Sequence, residues 1–414
     1  MNLESRTAIE ALRAGVPNRA AIRLMGIGDS GIEHAFDELL HSVWARDAAP
    51  RPGLGVAGGF GAGKSHLLGY LSEVARTHGF VVSRVVVSKE TPLSDPARTF
   101  EAAIRSAVVP DRNDDAVSAA FARLRAEPEK LEALEQAITE PDAGFAGIFA
   151  AILLLLRRPG VTPEALHRCE RFLTGGRMTT TSFRQALASV GAAKMFDLRL
   201  PAAGDLTQQR IAFASRMFRA AGYAGWCLLL DEVELIGRYS PLQRALAYTW
   251  LAHWLGLEGA SRFPGIATAY AITDDFVAAV IDARGDEEKL PERLRLKGRR
   301  QDADLAVAAM RHITDTVRRH RLPPPGLEEL ARDCLRLREI YEQAYDWPTP
   351  EPPPPERTAT RTMRQYIKAW ITQWDLQRLI GANVGIVEQS LTSNYQEDAL
   401  FGEVLPPSPE DELG

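Results

Sequence analysis

Residues 58–65 read GGFGAGKS, and this glycine-rich stretch constrains the fold more than any other part of the chain. It fits the pattern G-x-x-x-x-G-K-[ST] in full, in which successive backbone N–H groups turn into one concavity around a phosphate. An apolar run at 53–57 precedes it, helical spacing follows over 65–77, and residues 80–87 are nearly all apolar. This order predicts a strand, a loop, a helix and a buried strand, which together form a βαβ unit of a parallel sheet.

The residue types of this phosphate loop predict a site for ATP and Mg²⁺. The helix that begins at Ser65 adds its positive N-terminal end to the anion site. Lys64 is expected to reach the β- and γ-phosphates, and the Ser65 hydroxyl is expected to bind Mg²⁺. The residues predicted to surround the nucleotide are Gly58, Gly59, Phe60, Gly61, Ala62, Gly63, Lys64, Ser65 and His66.

A later apolar strand, WCLLLDE, ends in the two carboxylates Asp231 and Glu232. In P-loop ATPases such a strand lies beside the phosphate loop, where the Asp holds the magnesium shell and the Glu polarises the attacking water. We therefore predict Ser65 and Asp231 as metal ligands, and Lys64 and Glu232 as catalytic residues. Glu234 is the alternative base.

Two polar positions are candidates for sensing the γ-phosphate. The strand predicted over 265–272 should lie between the two motif-bearing strands, and Thr273 follows it; Thr273 could contact the phosphate, or Thr273 or Asp274 could cap the next helix. Arg364 opens the final helix and is predicted to contact bound phosphates from a helical lid, with Arg361 as the alternative.

Residues 293–300, RLRLKGRR, carry five basic side chains and allow three interpretations. Arg293 could reach the γ-phosphate of a neighbouring subunit, which would require a homo-oligomer. The segment could instead bind double-stranded DNA as a local basic patch, or it could be a solvated edge. The formal net charge of −5 provides no global nucleic-acid signature, so any DNA contact must be local.

Composition excludes several other classes of protein. The chain has 414 residues, enough to bury a full core without disulfides or a structural metal. Cys169, Cys227 and Cys334 lie far apart, which argues against a zinc ribbon and suits a reducing compartment. The most apolar run, 147–156, is too short to cross a membrane, and the N-terminus lacks the apolar stretch of a secretory signal. We expect a cytoplasmic protein with no membrane segment.

The hydrophobic pattern and the proline-rich stretches divide the chain into four parts. The predicted parts are an N-terminal helical segment (1–45), an α/β P-loop core (46–300) with a helical insertion at about 95–220, a helical lid (301–385) with a proline-rich loop (348–355), and a partly disordered tail (386–414).

Four stretches resemble one family: EALRAGVPNRAAIR, GGFGAGKSHLL with VSKETPL, LLLDEVELIGRYSPLQRALAY, and TRTMRQYIKAWITQWDLQRL. They are similar to the ATP-binding proteins of bacterial BREX phage-defence systems, of the BrxD type, which in turn are similar to the Orc/Cdc6-like branch of AAA+ ATPases. The resemblance covers most of residues 5–380. It implies an αβα ATPase core with a lid, ATP hydrolysis, and other defence proteins as partners. It also implies that Val16 and Pro17 line the adenine side of the pocket, although a corner between two helices is the alternative.

The chain departs from that family pattern in two places. The helical stretch between Lys64 and Asp231 is far longer than a minimal AAA core needs, and little room follows Ile380 for the winged-helix domain that Orc-like proteins use on DNA. We predict Mg-dependent ATP hydrolysis coupled to assembly or remodelling of a defence complex on DNA. The alternatives are a non-hydrolysing ATP-binding switch or scaffold, and an ATP-regulated DNA-binding module.

Overall fold

The computed structural model of the chain describes residues 2–15, 18–25, 30–46, 51–110, 115–176, 179–260, 263–323, 326–351 and 362–381. The predicted tail, the second half of the proline-rich loop, Val16, Pro17 and Arg361 lie outside these ranges. Within the described part of the chain, no helix has both the length and the apolar character needed to span a membrane.

A parallel sheet of four strands forms the centre of the described structure. The strands are β1 (Leu54–Ala57), β2 (Val81–Val86), β3 (Trp226–Asp231) and β4 (Ile266–Ile272). Their order in the sheet is β1-β4-β3-β2, with all neighbours parallel. The predicted βαβ unit and the predicted position of β4 between β1 and β3 are therefore confirmed. Every residue of β3 is buried, as expected for an apolar strand inside a parallel sheet.

Helices surround the sheet and occupy most of the chain. They are α1 (Leu3–Ala14), α2 (Arg19–Met25), α3 (Ser30–Trp44), α4 (Lys64–Thr77), α5 (Pro96–Arg105), α6 (Ala116–Ala126), α7 (Pro128–Thr139), α8 (Gly147–Arg157), α9 (Pro163–Leu173), α10 (Thr180–Ser189), α11 (Ala203–Ala220), α12 (Pro241–Leu255), α13 (Asp286–Leu296), α14 (Arg300–Arg319), α15 (Leu327–Tyr345) and α16 (Met363–Ile380). Short 3₁₀ segments span Pro141–Ala143 and Val233–Arg238, and a π-helix spans Val277–Asp282.

Two hydrophobic clusters cover the two faces of the sheet. Helices α3 and α4 pack on one face, where Phe36, Leu71 and Val56 belong to one cluster. The other face carries a larger cluster that includes side chains of α5 to α14. The apolar run of α8 is buried from Ile148 to Leu156, as its sequence predicts for a core helix. The result is a layered α/β fold, in which the helices between β2 and β3 extend the core.

A third cluster joins the two ends of the described chain. Helices α1 and α2 pack with α15 and α16 around Tyr341, Trp370 and Trp374. Arg13 of α1 forms an ion pair with Asp375 of α16 (Nη2–Oδ2 2.8 Å). We call these four helices the helical unit. Helix α14 instead packs with the core, while the predicted limits of the lid at 301–385 stay a prediction.

Candidate nucleotide-binding site

The phosphate loop connects the end of β1 to the start of α4, and its glycines are required by its backbone. Gly61 has φ +79° and Gly63 has φ +98°, both in the left-handed region that favours glycine. The Gly58 N–H donates to Ile272 O (3.1 Å), and so ties the loop to the end of β4. Because the strands are parallel, the loop lies at the same sheet edge as the residues that follow β3 and β4.

Lys64 lies over the loop that carries it. Its ammonium group donates to Gly58 O (2.9 Å) and Gly59 O (3.1 Å), and only 8% of the residue is exposed. The amine is thus held among the backbone groups that are expected to surround phosphate. A cation in this position attracts an anion that the loop N–H groups also bind.

Asp231 and Ser65 lie on different elements, and both lie near the side chain of Arg84. Asp231 ends β3, is 6% exposed, and its Oδ1 accepts the Glu232 N–H (3.0 Å). Arg84 Nη2 lies 3.8 Å from Asp231 Oδ2 and donates to Ser65 O (3.4 Å). The sequence reasoning missed Arg84, although an arginine inside a mostly apolar strand was a visible signal.

The donor groups at this position fit Mg²⁺. A serine hydroxyl and a carboxylate are hard oxygen ligands, which Mg²⁺ prefers and usually combines with substrate phosphates. Among the described residues, no group of three or more His, Cys, Asp or Glu side chains could hold a metal alone. Ser65 and Asp231 are the two residues here whose side-chain oxygens could bind such an ion.

Two glutamates beside Asp231 have carboxyl groups with raised pKa values. Burial is the main cause of the raised pKa of Glu232, Asp231 adds to it, and Lys64 opposes it. Glu232 also has a left-handed backbone, φ +57°, which turns the chain out of β3. Burial raises the pKa of Glu234 to about 7, against the charge of Lys64. Glu234 Oε2 is buried and has no hydrogen-bond partner in the described structure.

The helical unit reaches the phosphate loop through the first turn of α16. The Arg364 guanidinium lies 5.8 Å from the centre of the Phe60 ring. Its charge weakly opposes the rise in the pKa of Glu232 that burial causes. A Cβ placed on Gly61 would lie 2.9 Å from Thr362 Oγ1, so Thr362 packs directly on the loop. The contact requires glycine at position 61 for space as well as for backbone conformation.

His66, the predicted phosphate-loop neighbour, faces a different part of the helical unit. Burial raises the pKa of Asp333 on α15, and Arg332 and, more weakly, His66 oppose this rise. Both α15 and α16 therefore lie near the N-terminal turn of α4. Val16 and Pro17, the predicted adenine contacts, are not described; the adjacent Asn18 bridges α1 and α2, donating to Thr7 O (3.0 Å) and accepting from Ala21 N (2.7 Å).

The predicted sensor positions follow β4 at the same sheet edge. Thr273 is 1% exposed. Asp274 lies near Gly59 and forms an ion pair with Arg321, which follows α14. The π-helix after β4 begins at Val277. Its N-cap residue is Phe276, which makes no side-chain capping hydrogen bond. Because Ile272 O accepts the Gly58 N–H, Thr273, the next residue, lies beside the phosphate loop.

The basic segment 293–300 lies on an exposed surface of the molecule. Arg293 is exposed on α13. Arg295 pairs with Asp304 (3.0 Å) and Arg299 pairs with Asp302 (2.5 Å). These carboxylates offset part of the positive charge, which weakens the interpretation of the segment as a DNA-phosphate patch.

The comparison with protein families agrees with the loop geometry. Residues 2–123 match the model of the family described as BREX system ATP-binding protein BrxC/D. This match supports a BREX ATP-binding protein of the BrxC/D type. Over residues 2–123 it confirms the resemblance to BREX ATP-binding proteins, and this stretch contains α1 to α4, the phosphate loop and Arg84. It ends before the strand that carries Asp231. No match was found among curated proteins or among solved structures.

Proposed function

We propose that this BrxC/D-type chain binds Mg-ATP at the phosphate loop and hydrolyses it. The observation that carries the proposal is that Lys64, Asp231 and Glu232 lie together at one edge of the parallel sheet. There the charge of Lys64 opposes the rise in the pKa of Glu232 that burial causes. The family match adds support for ATP as the ligand.

Binding would depend on the loop, its lysine and the metal ligands. The loop N–H groups and Lys64 would hold the phosphates, while Ser65 Oγ and an Asp231 carboxylate oxygen would bind Mg²⁺. The metal would supply positive charge against the phosphate oxygens. Arg84 lies near both Ser65 O and the Asp231 carboxylate, and it would hold the two residues in fixed positions relative to each other.

Hydrolysis would depend on orienting water and stabilising negative charge. Glu232 would accept a proton from the attacking water, and its raised pKa suits a general base better than an ordinary carboxylate. Arg364 would contact the γ-phosphate from the helical unit, and Thr273 would contact it from the end of β4. Arg293, exposed on α13, would serve the site of a neighbouring copy in a homo-oligomer.

Lys64→Ala tests nucleotide binding. We expect this change to weaken ATP binding about 10- to 100-fold, because it removes a charged hydrogen-bond donor to the phosphates. Calorimetric titration with ATP and Mg²⁺ measures the effect. Lys130→Ala is the matched control, since Lys130 is exposed and pairs only locally with Glu127 (2.6 Å). ATP affinity within twofold of the wild type in Lys64→Ala would contradict the proposed site.

Arg364→Ala tests the contribution of the helical unit. We expect ATP turnover to fall about 10- to 100-fold with a smaller change in ATP affinity, because the arginine would act mainly on charge that develops during transfer. Arg378→Ala is the control on the same helix, since Arg378 lies over the Tyr345 ring (4.1 Å). Equal turnover in the two variants would show that Arg364 has no special role.

We further propose that the ATP cycle drives assembly or remodelling of a defence complex on DNA. The support is the family description, which names the BREX system. Turnover measured with and without double-stranded DNA tests this coupling. Stimulation by DNA is the expected result, and identical turnover in both conditions would restrict the cycle to protein partners.

A further inference from the structure

A cavity of about 190 Å³ lies at the sheet edge opposite the phosphate loop. Its wall comes from the last turns of α3 and α12, from Gly53 before β1, and from the start of β4. Since both strands begin here and the phosphate loop follows the end of β1, the cavity is separate from the proposed ATP site. We call it the basal pocket.

Three arginines line the basal pocket: Arg46, Arg51 and Arg219. Arg51 is paired with Glu38 (3.1 Å). Arg46 and Arg219 have no carboxylate partner among the described residues, and no Asp or Glu of the described chain lines the pocket. His253, the other titratable side chain in the wall, has a pKa lowered by burial and therefore adds no charge at neutral pH.

Arg46 and Arg219 line the same pocket, where Arg46 is exposed and Arg219 is partly buried. Burial lowers the pKa of Arg219, and the charge of Arg46 lowers it further. Arg46 lies two residues after α3, in the turn that closes the helix, with φ +60° and its N–H donating to Val43 O (3.3 Å).

Gly265 makes room for Arg219 in the pocket wall. Its φ is +93°, and a Cβ there would collide with the Arg219 side chain. The stem of Arg219 therefore lies directly on the backbone before β4. The same wall contains Trp254, whose indole N–H has no hydrogen-bond partner in the described structure, and the Phe263 ring at 6.0 Å.

We propose that the basal pocket binds a phosphate group, held between the guanidinium groups of Arg46 and Arg219. Two arginines match a doubly charged anion, and the guanidinium fork matches phosphate oxygens in bidentate geometry. A bound anion would offset the repulsion that the fold imposes. The aromatic wall leaves space for the remainder of a small phosphate ester. The phosphate could belong to such a ligand or to a DNA backbone.

Calorimetric titration of the full chain with inorganic phosphate tests this proposal. Mg-ADP is added first to saturate the phosphate loop, and a parallel series uses Lys64→Ala, so that the result does not depend on the proposed ATP site. We expect phosphate binding that Arg46→Gln and Arg219→Gln each weaken by at least about tenfold. Arg199→Gln, which changes an exposed arginine that lies outside the pocket and pairs with Asp197, should leave it unchanged.

The thermal unfolding midpoint provides a second readout that detects misfolding of the variants. Phosphate should raise the midpoint of the wild type and leave that of folded Arg219→Gln unchanged. Phosphate binding retained in both pocket variants, binding lost only in Lys64→Ala, or equally tight binding of acetate would each overturn the proposal. A short DNA duplex distinguishes the sources: weaker duplex binding in both pocket variants assigns the phosphate to DNA, and unchanged binding assigns it to a small ligand.

Discussion

Glu232→Gln is expected to reduce ATP turnover by roughly 10²- to 10⁴-fold and to leave ATP binding intact. The amide keeps the shape of the side chain but cannot accept the proton of the attacking water. Because Lys64 and Asp231 are untouched, the loop and the metal ligands should still hold Mg-ATP. Steady-state phosphate release measures turnover, and calorimetric titration measures binding.

The control is Glu132→Gln, a change of the same kind on the exposed face of α7. Retained turnover in Glu232→Gln would show that another residue acts as the general base. Glu234 is then the residue to change. Burial raises the pKa of its carboxyl to about 7, and Lys64 lies close enough for its charge to oppose that rise. Tight ATP binding without turnover in the wild type would favour the non-hydrolysing switch.

Asp286→Asn is expected to lower the free energy of unfolding by about 3–5 kcal/mol. Asp286 accepts hydrogen bonds from Arg244 Nε and Nη2, each at 2.9 Å, and both side chains are almost fully buried. The change would leave the buried Arg244 charge uncompensated, which costs more than the pair itself contributes. Urea-induced unfolding of the nucleotide-free protein measures the effect.

Asp304→Asn is the matched control for this prediction. It breaks the exposed ion pair with Arg295, and such pairs contribute only about 0–1 kcal/mol. A free energy of unfolding for Asp286→Asn within 1 kcal/mol of the wild type would show that the buried pair is dispensable. Since Asp286 lies in the first turn of α13, a large loss should also affect the helix that carries Arg293.

The local sequence pattern predicted the βαβ unit at the centre of the fold well. The strand before the phosphate loop, α4 and the buried strand β2 all appear within one or two residues of their predicted limits. The reason is that apolar periodicity and glycine conformations act over a few neighbouring residues. The placement of β4 between β1 and β3 is likewise confirmed. The roles of the site residues remain predictions.

Other features could not be predicted because they depend on elements far apart in the chain. Arg84 was not recognised, since its contacts with Ser65 and Asp231 exist only when β2 lies beside β3. The packing of α1 and α2 with α15 and α16 was equally hidden, because an amphipathic helix shows which face is buried and not which partner covers it.

The sequence by itself determined the phosphate loop, the parallel α/β core and the two carboxylates that end β3, because each of these follows from short-range conformational and hydrophobic preferences. The tertiary structure alone decided that Arg364 lies over Phe60, that Glu234 is buried next to the charge of Lys64, and that Arg46 and Arg219 share a pocket. Burial and charge at such positions arise only from the packing of distant elements, and that packing sets their chemistry.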